Sequence, residues 1–276
     1  MISTRHWPKQ LSYLLVDAPG FTSRLHGISA GSLCRAMELE GTSKSDRYLL
    51  VGRGGKQSML GRGSYGQVSP AWDTGKERLV AIKVQKRESQ SAMREMMFFQ
   101  CVPQHPNVLR MLDMFASGSD LSLVFEYCIL SLGDMWKRAQ GFLDWNTARR
   151  YSLQVLHGIA HLHRNDVSHR DIDMSNVLMR EDGDRGVCVV ADLGLAACAS
   201  YSILDRDVTK AWYRAPEACF PGAQLLTLQT TFDMWSCGVL IAALWIGTLL
   251  FQFAMFAVEP EQENMVVIQK IVSVLG

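Results

Sequence analysis

A glycine-rich run, Leu60-Gly61-Arg62-Gly63-Ser64-Tyr65-Gly66-Gln67-Val68, is followed by the apolar segment Val80-Ala81-Ile82-Lys83, and together they narrow what this chain can become. Glycines at that spacing occur in more than one phosphate-binding turn and in simple turns, so alone they decide little. A dinucleotide site needs a helix directly after the glycines and an acid about twenty residues on. The alternative is a second strand and then a strand carrying Ala-x-Lys, which Val80 to Lys83 supplies. Glycine backbone can close over phosphates without side-chain obstruction, and Lys83 would bring a compact positive charge to the α- and β-phosphates. An exposed strand lysine is the plainer reading of Lys83 taken by itself.

A second stretch, His169-Arg170-Asp171-Ile172-Asp173-Met174-Ser175-Asn176, lies between a helical segment and the short apolar run Val177 to Met179. It has the spacing of a catalytic loop for phosphoryl transfer: Asp171 to accept the proton of a substrate hydroxyl, and Asn176 to hold a magnesium ion against the ATP phosphates. The helix before it starts at Asp144, with Ala148, Tyr151, Val155, Ile159 and Leu162 at steps of three and four. After the loop, Gly186 to Ala191 reads as a strand that ends in Asp192-Leu193-Gly194. Asp192 there would chelate magnesium, and the glycine permits the turn beside it. Ser89 to Val102 reads as a helix with Ala92, Met96 and Phe99 on one face and Pro103 ending it. Glu95 on that helix would fix the rotamer of Lys83 by an ion pair. Val108 to Met114 and Leu121 to Tyr127 read as strands.

With 28 Lys and Arg against 27 Asp and Glu and no basic block, no nucleic-acid partner is expected. The seven cysteines show no C-x-x-C pair or zinc spacing, which suits free thiols in a reducing compartment, cytoplasmic or nuclear. Residues 1–47 read as a disordered N-terminal extension; their low acid content would also suit an organelle transit peptide, and their longest apolar run, Leu11 to Val16, is too short for a secretory signal.

Gly61, Gly63, Gly66, Val68, Lys83, Glu95, His169, Arg170, Asp171, Asn176, Asp192, Gly194, Ala215, Pro216, Glu217 and Asp233 stand in the order of the eukaryotic protein kinases, which the chain resembles over residues 48–276. Trp212-Tyr213-Arg214, Ser91-Ala92-Met93-Arg94-Glu95 and Leu123-Val124-Phe125-Glu126-Tyr127 are similar to the group holding the cyclin-dependent and MAP kinases. The resemblance implies an α+β, two-lobed protein kinase-like fold. Its β-rich N-lobe would cover about 48–127, and its mostly helical C-lobe, about 128–276, would lack its last helices. It also implies ATP and Mg2+, a protein Ser/Thr substrate with proline after the target residue, and a cyclin-like activator. Leu60, Val68, Ala81 and Leu178 would line the adenine slot, with Phe125 as gatekeeper and the backbone of Glu126 and Cys128 bonding adenine. The alternative is a pseudokinase or truncated kinase acting as a nucleotide-binding scaffold; intact Asn176 and Asp192 favour the enzyme.

Three departures from the family accompany the matches. Its Ser/Thr members usually carry Lys two residues after the catalytic Asp, near the γ-phosphate, where this chain has Asp173. At a few Å and an effective dielectric near 20, one such interaction is worth up to about 4 kcal/mol, and each ~1.4 kcal/mol is tenfold in rate. Low activity, raised by Asp173→Lys, is therefore expected. The activation segment has Asp205-Arg206-Asp207 where the family's phosphorylated residues lie; a carboxylate there would pair with Arg94 and Arg170, although a solvated loop acid is the plainer reading. A third arginine found in related kinases is replaced by Ala197, and the expected loss of the last helices would take away the partner of Glu217.

Met234 to Val258 contains no Asp, Glu, Lys, Arg or His, and the 22 residues from Cys237 are long enough to cross a bilayer. The preferred reading is the central helix that kinases bury entirely, opened by Asp233, and membrane association is not expected. The two readings exclude each other, because a span would remove the helix on which the catalytic loop rests.

Overall fold

The computed structural model describes residues 44–53, 56–57, 59–63, 66–182, 186–198, 209–220, 230–253 and 262–276. The expected extension up to residue 43, the tip of the glycine run at Ser64 and Tyr65, and Asp205 and Asp207 lie outside the described residues.

The first part of the chain is an antiparallel sheet. Strands β1 (Tyr48–Leu50), β4 (Gly61–Gly63), β5 (Gly66–Asp73), β6 (Arg78–Lys86), β7 (Met111–Ser117) and β8 (Asp120–Glu126) pair in the order β1-β5-β6-β8-β7, with β4 also on β5. Two short strands, β2 (Gly52–Arg53) and β3 (Lys56–Gln57), pair with each other beside it. β6 lies between β5 and β8, and Val80, Ala81, Ile82 and Lys83 are all buried along it. Such a continuous run follows from cover on both faces. On one face Ala81, Leu121, Leu123 and Phe125 pack with Ala92 and Met96 of helix α1 (Gln90–Cys101); on the other, Val80, Ile82 and Val124 pack with Tyr48 and Ala71.

The second part is mainly helical: α2 (Leu132–Arg138), α3 (Trp145–Arg164), α4 (Thr230–Ile246) and α5 (Glu263–Leu275). Asp144 caps α3 by accepting from the Thr147 N–H at 3.1 Å, as its position before the amphipathic run predicts. Ala148, Tyr151, Val155, Ile159 and Leu162 are buried, and the last four share one core with Leu240, Ala243 and Leu244 of α4. Two small antiparallel sheets pack on this core. The first is β11 (Val177–Arg180) with β12 (Val187–Val190), extended by β9 (Leu130–Ser131); the second pairs β10 (Val167–Ser168) with β13 (Ala197–Cys198).

Three sequence expectations are adjusted. The strand expected over Val108 to Met114 begins at Met111, and Val108 makes only an isolated bridge to Val190. On α1, Phe98 is fully buried while Phe99 is partly covered, so the core face is wider than Ala92, Met96 and Phe99. Among the described residues of the apolar stretch from Met234, the helix ends at Ile246, before Gly247, whose φ is 77°. The 17 residues of α4 span about 26 Å at 1.5 Å each, short of the roughly 30 Å of a bilayer core. Among the described residues, no helix is long and apolar enough to cross a membrane.

Candidate active site

Lys83 emerges from the middle of the sheet with 7% of its surface exposed, between Val68 and Leu123 on the neighbouring strands. Its Nζ donates to Glu95 Oε1 at 2.9 Å and to Asp192 Oδ1 at 3.1 Å. The strand, helix α1 and the segment after β12 therefore meet at one ammonium group. Gln85, two residues on and on the same face of β6, donates to Glu95 Oε2 at 2.7 Å. The sequence reading missed Gln85, although the two-residue strand period was available to find it.

Burial pulls the Lys83 ammonium down, but Glu95 and Asp192 more than offset it, and the lysine is held charged above its ordinary value. For Glu95 burial dominates and pushes the carboxyl up to about 7, against the pull of Lys83. At Asp192 burial also works upward, yet Lys83 and the Gly194 N–H leave it below the ordinary carboxylate range. Helix α1 is pressed against this segment: Arg94 Nη1 donates to the Gly194 carbonyl at 3.2 Å, and a Cβ on Gly194 would lie 2.4 Å from Ser91 Oγ.

The loop from His169 to Asn176 brings Asp171 and Asn176 together as the spacing predicts. Asn176 Nδ2 donates to both the carbonyl and Oδ2 of Asp171, each at 2.8 Å. Burial, and then the nearby Asp173, push the Asp171 carboxyl above its ordinary value, while Lys210 and His169 pull it back. The loop hangs on Asp233 at the start of α4. Its carboxylate accepts from the His169 N–H and the Arg170 N–H at 2.7 Å each and contacts His163 Nε2 at 2.8 Å. His169 Nε2 then reaches the Ala191 carbonyl at 2.8 Å, tying the loop to the residue before Asp192. Arg170 and Asp192 have φ of 66° and 63°. Side chains rarely adopt that region, and it persists where surrounding bonds over-determine it.

Above the loop lies a cleft of about 710 Å3 whose lining includes Leu60, Gly66, Val68, Ala81, Phe125, Cys128 and Leu178 together with Lys83, Asn176 and Asp192. Among the expected nucleotide residues, Gly61 and Gly63 form β4, paired with Val68 and Gly66. The Glu126 side chain is committed elsewhere, to Arg180 at 3.1 Å and the Arg110 N–H at 3.0 Å. Burial pushes the Cys128 thiol up to about 12, so that side chain serves as apolar wall rather than nucleophile.

The activation-segment arginines are placed by main-chain carbonyls. Arg170 Nε donates to Leu195 at 2.6 Å, and Arg214 Nη2 to Thr209 at 3.0 Å, with Arg214 Nη1 on Glu263 Oε1 at 2.7 Å. Asp173, read from sequence as a reversed charge, is buried and bonds Lys210 Nζ and the Ser175 N–H, as well as the Asn176 N–H at 3.2 Å. Nothing in the spacing announced Lys210, which lies 37 residues on.

Whether the site suits a metal follows from its donors. The Asn176 amide nitrogen is spent on Asp171, leaving the amide oxygen as a ligand atom; Asp192 uses Oδ1 for Lys83 and Gly194 and retains Oδ2. Among the described residues there is no group of three or more His, Cys, Asp or Glu placed to hold an ion. Two oxygen donors fit magnesium that arrives coordinated by phosphates and keeps several waters.

The sequence matches the protein kinase domain family over residues 55–274. It is 35% identical over 199 residues to serine/threonine-protein kinase KIN28 of Saccharomyces cerevisiae, covering 69% of this chain and 63% of that one. It is 31% identical over 215 residues to cell division control protein 2 homolog 3 of Trypanosoma brucei brucei, covering 75% and 65%. Against cyclin-dependent kinase F-3 of Oryza sativa subsp. japonica it is 31% identical over 198 residues, covering 70% and 44%. The chain thus spans less than two thirds of the length of each of these relatives.

Proposed function

The chain belongs to the eukaryotic protein kinases, with cyclin-dependent kinases among its relatives, and from that premise we propose that it transfers the γ-phosphoryl group of MgATP to a Ser or Thr hydroxyl of a protein. The observation that supports this reading best is the meeting of Lys83, Glu95 and Asp192 above a loop in which Asp171 and Asn176 are bonded to each other. Lys83 holds the α- and β-phosphates, and Glu95, backed by Gln85, holds Lys83. Asn176 and Asp192 are the ligands for magnesium, which neutralises charge on the phosphates when bound. Asp171 accepts the proton of the substrate hydroxyl. The hydroxyl oxygen forms its bond to the γ-phosphorus as the bond to the bridging β–γ oxygen breaks, and ADP leaves with that electron pair. Target residues followed by proline extend the same reading through the resemblance of its motifs to the cyclin-dependent and MAP kinase group, and an activator that docks like a cyclin extends it through the rice relative named as a cyclin-dependent kinase.

The test is single-turnover transfer from ATP to a library of Ser/Thr peptides, comparing the chain with Asp171→Asn. A positioned general base is worth about 10²- to 10⁴-fold, so the variant is expected to lose at least a hundredfold in rate while binding MgATP within a fewfold of the original. Equal rates would remove Asp171 from the reaction, and nucleotide binding without transfer in either protein would favour a scaffold.

A further inference from the structure

The carboxylates of Asp173 and Asp192 both line the cleft, and Asp171 is close enough to Asp173 to be pushed by it, an arrangement that by itself repels a triphosphate. Lys83 answers only one of them, since its ammonium is shared between Glu95 and Asp192. Lys210 answers Asp173. Its Nζ ion-pairs with Asp173 Oδ2 and donates to Ser175 Oγ at 2.7 Å, and Lys210 lines the same cleft as Asn176 and Asp192. An ammonium has three donors, and among the described residues these two bonds leave one unspent. The side chain is 51% exposed while that of its partner Asp173 is 4% exposed, so the anchor is fixed and the cation faces open space.

The backbone that carries Lys210 is itself built for this placement. Thr209 has φ of 69°, a region that β-branched residues very rarely enter. It is buried there, with its Oγ1 donating to the Arg170 carbonyl at 2.7 Å and its own carbonyl taking the Arg214 guanidinium at 3.0 Å. Such strain survives where the surroundings over-determine it, and it is a pointer to function. The reach of Lys210 is also felt at the proposed base, since it pulls the Asp171 carboxyl down against the push of Asp173.

We propose that Lys210, anchored by Asp173 and Ser175, is the cation that faces the γ-phosphoryl group during transfer. Lys210 is then a catalytic residue and Asp173 its positioning residue, and the reversed charge at 173 is the anchor of a displaced cation. The proposal rests on the kinase reading above.

The test is calorimetric binding of MgADP and of the magnesium complex of the β,γ-imido analogue of ATP to the 276-residue chain. Four variants accompany it: Lys210→Gln, Lys210→Arg, Lys210→Asp and the exchange Asp173→Lys/Lys210→Asp. A charge-assisted hydrogen bond is worth ~1.5–3 kcal/mol, so Lys210→Gln is expected to weaken the triphosphate analogue about tenfold or more and leave MgADP unchanged. Lys210→Arg keeps most of the difference. Lys210→Asp loses it, and the exchange, which restores one anion and one cation at the same place, recovers it. If Lys210→Gln melts without cooperativity, the neutral pair Asp173→Asn/Lys210→Gln replaces it with the same expectation. Equal loss for both nucleotides, or no loss for either, overturns the role of Lys210 while the kinase reading stands. Failure of the unaltered chain to bind either nucleotide overturns both.

Discussion

Two backbone N–H groups, of His169 and Arg170, end on the single buried carboxylate of Asp233, with His163 on the same oxygen as His169. An amide at that position has one oxygen to accept with and turns an NH2 toward a second donor. Asp233→Asn should therefore leave one buried N–H unsatisfied and weaken a charge-assisted bond, at ~2–4 kcal/mol. Urea unfolding is the measurement, and a loss under about 1 kcal/mol would mean the loop is held by other contacts. The residues that share a motif were legible in the chain: Lys83 with Glu95, Asp171 with Asn176, and Asp192. Residues whose value comes from a partner far along the chain were not. Asp233 was readable as the opening of a buried helix but not as the acceptor for a loop 63 and 64 residues before it, and Lys210 had no motif at all.

Helix α3 carries a case where two element-level effects oppose. Replacing Gly by Ala inside a helix ordinarily stabilises by about 1 kcal/mol. At Gly158 the added Cβ would lie 2.4 Å from the Asn107 carbonyl oxygen and 2.9 Å from Val190 Cγ2. That carbonyl already accepts from the Val190 N–H at 2.9 Å, so relief means moving β12, which leads into Asp192. Overpacking of this kind costs ~1–3 kcal/mol, and Gly158→Ala is expected to lower stability by ~0–2 kcal/mol once the propensity gain is subtracted. A stabilised variant in thermal or urea melts would contradict the close packing of α3 on that segment. In the sheet, Arg47 Nε and Nη2 grip Asp73 at 2.7 and 2.8 Å. The hydrogen bond from Arg47 holds the Asp73 carboxyl below its ordinary value. A depressed carboxylate contributes stability above its unfolded value and loses that contribution as the pH falls through the folded one. Arg47→Ala should thus cost ~1 kcal/mol at pH 7, Arg47 being partly exposed, and progressively less as the pH falls below the ordinary carboxylate range. A pH-independent cost would mean the pair is worth only its packing. Helices and buried strands were legible from period and caps. The start of β7 was not, because a register shift between Met111 and Asp113 and the lone bridge at Val108 are tertiary features that no local pattern records.

For the molecule as a whole, the sheet supplies Lys83, the helical part supplies the proposed base Asp171 and the proposed magnesium ligands Asn176 and Asp192, and α1 with the Asp192–Gly194 turn joins them. The two-part architecture was readable from the order of motifs. How the apolar stretch after Asp233 is used was not, since a buried helix and a bilayer span share one hydropathy; the end of α4 at Ile246 and its packing on α3 decide it. The central claim is that these parts form one site that binds MgATP, and thermal melting of the chain beside Lys83→Ala measures this most directly. A ligand at a hundred times its Kd adds ~2.7 kcal/mol, which is roughly 5–10 °C for a domain of this size. That rise is expected with ATP and magnesium together, reduced without magnesium and absent in Lys83→Ala. A cooperative transition that MgATP leaves unmoved, or that moves equally in Lys83→Ala, would contradict it.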